Sequence, residues 1–265
     1  MGIMIGGAVV ALIGLVLWIL MNKRKAKMNV MDNYENTSAA EIIQNHQFFE
    51  EEYGKGSFSN FIEIRGNVHC ESPIQSEFAK ENVVYYKSIV TREIEKQVQR
   101  RDSNGNVRWD NVRSTEKVSE NERKANFYVK DQTGEVLVDP EGAELHTMKI
   151  FSEYEAGSNP SGNWFNFGGF SFGTSSGTTV LGYKYEEYAI PMNSHLYVLG
   201  EANDRAGKLR ISKSTDKKQH FIVSTKTEDE LKSNLQSNIN IFKWSAIALW
   251  IIGAGLVVFG VTKMI

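Results

Sequence analysis

Two uncharged apolar runs bound this chain, residues 1–21 and 244–262, and everything between them is polar or mixed. A bilayer core of about 30 Å takes about 20 apolar residues as a helix, so the pattern predicts two transmembrane helices. A cleaved signal peptide fits the first run poorly. No cation precedes it, it is too long, and no small-residue cleavage site follows it. Cations come after it instead: Lys23, Arg24, Lys25 and Lys27. Lys226, Lys232 and Lys243 lie on the inner side of the second run, and Trp18 and Trp244 stand at the two inner ends. Cationic flanks stay cytoplasmic and indoles favour the interface, so the middle of the chain is expected on the cytoplasmic side of a plasma membrane. Gly2 and Gly6 have the spacing of a helix-dimer motif, a pattern frequent by chance.

Residues 22–37 read as a basic and polar tether. Ser38-Ala-Ala-Glu41 is a capping box that opens a helix, with Ala39, Ile42, Ile43, His46, Phe49 and Tyr53 on one face. His46 on that stripe reads as a core or boundary histidine. From Phe61 the period changes to two. Ile62, Ile64, Gly66, Val68 and Cys70 share one face, while Glu63, Arg65, Asn67 and His69 share the other; Cys70 reads as a small buried hydrophobe and His69 as exposed. Further strands are expected at 83–95 and 107–118, joined by a turn at 103–106, and at 127–130, 135–138, 183–190, 195–200, 208–212 and 221–224. Many short strands with regular turns predict a membrane-anchored α+β protein. Its domain, 38–226, would be an antiparallel β-barrel or curled sheet with one N-terminal helix, flanked by the two transmembrane helices. A second capping box, Thr227-Glu-Asp-Glu230, opens a juxtamembrane helix over 227–243. No Pro or Gly interrupts it before Trp244, so one continuous helix should run into the second span.

Residues 156–182 interrupt the strand pattern with seven glycines and with Trp164, Phe165, Phe167, Phe170 and Phe172. A flexible loop, a partner-binding loop and a loop that dips into the membrane interface all fit this composition. The last would make those five aromatic residues the membrane contacts.

The formal net charge of −2 excludes nucleic-acid binding by bulk charge. One cysteine permits no intramolecular disulfide. One cysteine plus five histidines make six potential zinc ligands, fewer than the eight of a RING finger. His69-Cys70 is the sole close pair, and neighbours on a strand diverge. The carboxylate runs Glu186-Glu187 and Glu50-Glu51-Glu52 read as solvated faces. No motif for nucleophilic or metal-assisted hydrolysis appears. The sequence thus predicts no catalytic, cofactor-binding or metal-binding residue and no cofactor. The expected partners are membrane lipids and an unidentified protein, not nucleic acid.

The order of parts resembles the GIDE-domain family, also called BAM ("beside a membrane"), best known from mitochondrial membrane ubiquitin ligases of the MULAN type. Several segments carry the resemblance between two spans: Ile62-Glu-Ile-Arg-Gly-Asn-Val68, Val83-Val-Tyr-Tyr86, Phe127-Tyr-Val-Lys-Asp-Gln-Thr-Gly134, Val138-Asp-Pro-Glu-Gly-Ala143 and Leu196-Tyr-Val-Leu-Gly-Glu-Ala202. The resemblance implies a domain that senses or binds something at the membrane. In the ligases a RING follows the second span; here Lys263-Met-Ile265 follows it, so a RING-less, prokaryotic member is expected. The leading expectation is a non-catalytic binding or sensing module. The alternatives are a ubiquitin-ligase-like component working with a separate RING partner, and a membrane-bound hydrolase with an unrecognised site.

Overall fold

A computed structural model describes residues 2–101, 105–157 and 178–262. Helix α1 (Gly2–Asp32) and helix α3 (Glu228–Thr262) lie antiparallel and in contact along their length. Gly7 meets Gly253 near the chain termini, Trp18 lies against Trp250 with ring centres 5.4 Å apart, and Lys232 pairs with Asp32 at the inner end. A Cβ at Gly7 would stand 2.8 Å from the Gly253 carbonyl oxygen, so the backbones approach where only glycine fits. A Cβ at Gly2 or Gly6 would meet nothing within 4 Å; the close approach to α3 is made one residue on, at Gly7. Both helices are long and apolar enough to cross a membrane. Their outer faces expose apolar side chains such as Leu12 (61%) and Ile251 (68%).

The expected tether is different. Residues 22–32 continue α1 without a break, because they pack against α3. Arg24 lies over the Phe242 ring at 4.6 Å, and Met31 is fully buried. Both helices therefore reach the domain as a rigid stalk, and α3 is continuous from Glu228 as its uninterrupted pattern predicts.

The domain is built on a closed barrel. Strands β1 (Ser59–His69), β5 (Phe127–Lys130), β6 (Glu135–Val138), β11 (Arg210–Ser212) and β10 (His195–Asn203) form a ring, closed by the β1–β10 pairing. Strands β12 (Ile222–Ser224) and β7 (Glu144–His146) extend the sheet from β10. The inward face alternates as the sequence pattern requires: Ile62, Ile64, Val129, Val138, Val198 and Ile211 fill one core. Helix α2 (Ala39–Tyr53) covers it with Ala39 and Ile42. Its start is fixed twice, by Ser38 Oγ accepting from the Glu41 N–H at 3.3 Å and by the β5–β6 turn. There Asp131 and Thr133 accept from the Ala39 and Ala40 N–H groups at 2.8 and 3.0 Å. Burial opposes ionisation of Asp131, yet the Ala39 N–H, the Thr133 hydroxyl and the Thr133 and Gly134 N–H groups together hold its carboxyl below the usual range.

Beside the barrel stands a curled sheet, ordered β2 (Ile74–Gln75), β3 (Asn82–Arg101), β9 (Thr178–Pro191), β8 (Met148–Ala156), with β4 (Val107–Lys124) paired to the edge of β3 opposite β9. β3 serves both layers: Val84 and Tyr85 join the barrel core, while Val90 and Ile94 pack with Tyr183 and Tyr185. β7 and β8 carry no alternating pattern because they are largely exposed, and periodicity did not reveal them.

Two carboxylates are fully buried, and one of them, Glu187, was expected on a solvated face. Glu187, on β9, accepts from the backbone N–H groups of Glu77, Phe78 and Ala79 at 2.7–3.1 Å and from the Ser88 hydroxyl at 2.8 Å. It ties the loop between β2 and β3 to the sheet. Glu186 does stand outward, paired with Lys149 and Lys184. Glu63 is buried because the outer face of β1 is covered by the base of the helix pair.

Candidate functional site

That covered face is a second core. Met31 of α1 and Leu231 of α3 pack on Phe61, Tyr197, Leu199 and Ile222, which are the outward residues of β1, β10 and β12. Polar groups bind the same seat. Asp32 on α1 pairs with Lys232, Lys232 with Glu228, and Glu228 with Arg65, which also holds Glu63 at 2.7 Å. Burial is the main influence on Glu63 and raises its pKa above the ordinary value, while Arg65 opposes the shift. Tyr197, beside it, is raised by the same burial and by the Glu63 charge. Ion pairs that link one strand to both helices leave the domain little freedom to swing on them.

Next to this seat, a cavity of about 510 Å³ lies between the inner ends of α1 and α3 and strands β7 and β12. Four cations line it: Lys23, Arg24, Lys27 and Lys226. Glu144 is the lone carboxylate among its described lining residues, hydrogen-bonded to His146 at 3.0 Å and to Lys27. The His146 hydrogen bond, then Lys27, hold the Glu144 carboxyl down at about 2 against the opposing effect of burial. Burial and the Lys27 charge push His220, also in the wall, below its ordinary value. Asn234 and Asn238 add amides, and Met31, Ile222, Leu231 and Leu235 add an apolar side. A cation-rich, amide-bearing and partly apolar cavity suits an amphiphilic anion.

The residues singled out from sequence fall as follows. Lys23, Arg24 and Lys27 meet in this cavity, while Lys25 is exposed and outside it. Trp18 is turned onto Trp250, and Trp244 is exposed. Trp164, Phe165, Phe167, Phe170 and Phe172 lie outside the described residues. Cys70 is buried with its Sγ 3.5 Å from the Asn126 carbonyl oxygen. His69 instead meets Glu135 at 2.8 Å on the other side of the strand. His46 stands at the barrel edge, edge-on to Phe58 and 3.4 Å from Asp204. Among the described residues no three His, Cys, Asp or Glu side chains are grouped as a metal site would need. Glu144, His146 and His220 were not legible as site residues. They sit on one short strand and a loop far in sequence from the α1 cations.

The family model described as GIDE, E3 Ubiquitin ligase, matches residues 95–259, well over half of the chain. The chain belongs to the GIDE family. The GIDE match takes in the cavity walls from β7 to α3. The chain is also similar to "E3 ubiquitin-protein ligase SPL1" of Arabidopsis thaliana, 29% identical over 202 residues, which make up 74% of this chain and 54% of that protein. It therefore spans about half the length of that curated relative. No solved structure matches it.

Proposed function

We propose that this chain is a two-pass membrane protein that holds its GIDE domain against the bilayer as a non-catalytic binding or sensing module. The observation that carries this reading is the seat. A rigid pair of apolar-faced helices ends on the barrel itself, through the Met31 and Leu231 contacts and the Asp32–Lys232–Glu228–Arg65–Glu63 chain. The cation-lined cavity adjoins that joint, and its side chains suit the holding of a ligand better than the moving of protons between groups. The cations around the inner helix ends favour the cytoplasmic side. A membrane-impermeant maleimide that labelled Lys217→Cys in intact cells would overturn that sidedness.

Similarity to a ubiquitin ligase supports a second reading, in which the module serves ubiquitin transfer through a separate RING protein. The purified chain, given ubiquitin-activating and -conjugating enzymes, ubiquitin and ATP, is expected to form no conjugate. Conjugation by the chain alone would overturn the non-catalytic reading. Conjugation that appears only with a co-purifying RING protein would favour the second.

A further inference from the structure

Building on the membrane reading, we propose that the cavity between α1, α3, β7 and β12 binds the phosphate of one anionic phospholipid headgroup. Depth is the first argument. The uncharged run of α1 ends at Met21, and a helix rises 1.5 Å per residue, so Lys23 to Lys27 stand about 3–9 Å beyond it. Headgroup layers add about 5–7 Å on each side of the hydrocarbon core, so these cations lie at or just beyond that layer. On α3, Asn238 lies six residues inside Trp244, about 9 Å by the same rise, at a matching depth.

Charge is the second argument. Glu144 occupies Lys27, and Arg24 lies on Phe242, but Lys23, at headgroup depth, has no carboxylate partner among the described residues. It is a cation held at the cavity and available to an incoming anion. Basic pockets at the ends of transmembrane helices suit such headgroups generally.

The test uses the full chain in phosphatidylcholine nanodiscs containing a minority of phosphatidylglycerol, released gently into a native mass spectrometer. One phosphatidylglycerol per chain is expected to stay bound in preference to phosphatidylcholine. Removing one cation in Lys23→Gln should lower that retention about 5-fold. Lys25→Gln removes the same charge near the same depth but outside the cavity, and should change retention by less than about 2-fold. Glu144→Gln frees Lys27 and should raise retention, a gain that misfolding cannot produce. Equal losses in the two variants would overturn the proposal, since diffuse surface charge would then explain the binding. So would the absence of any preference for the anionic lipid, or its displacement by an equal concentration of soluble glycerol 3-phosphate. Failure of the membrane reading itself looks different: alkaline carbonate would then strip the chain from the bilayer.

Discussion

Glu187→Ala is expected to lower the stability of the domain by about 3–5 kcal/mol, the largest effect of any single surface-pattern carboxylate. The substitution leaves three backbone N–H groups of the loop at 77–79 and the Ser88 hydroxyl without their acceptor in a buried place. Each orphaned group costs about 1–3 kcal/mol, and part of that is recovered by relaxation and water. In a domain of this size the melting temperature should fall by about 10 °C or more. Its sequence neighbour is the control. Glu186 forms only outward ion pairs with Lys149 and Lys184, so Glu186→Ala should cost less than about 1 kcal/mol. Thermal melts of both variants in detergent decide the matter. Equal melting temperatures would show that Glu187 does not hold the loop.

Gly66→Ala comes second, at about 2–3 kcal/mol. Gly66 lies on β1 opposite Leu196, one residue before β5 joins the other edge of the strand. A Cβ there would sit 2.5 Å from the Lys130 carbonyl oxygen and 2.8 Å from its carbon. Those are backbone atoms of a paired strand and cannot rotate away, so the barrel would have to part between β1 and β5. Chemical denaturation should show an earlier midpoint with an unchanged slope. A wild-type midpoint would mean that the strands yield at no cost.

The sequence pattern reveals most elements for physical reasons. Long uncharged runs, the capping boxes at Ser38 and Thr227, and the alternation from Ile62 to Cys70 each record one local constraint, and the structure satisfies each of them. What it hides depends on distant partners. Residues 22–32 read as a tether because their helix is decided by packing on α3, not by their own periodicity. Glu187 reads as solvated because its donors are far away in sequence, 110 residues away for Glu77, and Glu63 is buried by the distant helices α1 and α3, not by anything its own strand shows. The cavity was half legible. Its α1 cations stood out as a charge cluster, but nothing local tied Glu144, His146 or His220 to them. Gly66 was placed correctly on the inward face, yet only the approach of β5 gives it a reason to be glycine.

The claim on which the rest depends is that the helix pair lies in a bilayer with the domain beside it. A cysteine-accessibility scan in cells tests this most directly, since native Cys70 is buried. Leu12→Cys and Ile251→Cys replace two of the most exposed apolar residues, and Lys217→Cys lies on an exposed loop of the domain. The first two should resist an impermeant maleimide both in intact cells and after the membrane is opened, while Lys217→Cys should react fully once it is opened. Ready labelling of Leu12→Cys and Ile251→Cys in opened membranes would place the helix pair in water and contradict the account.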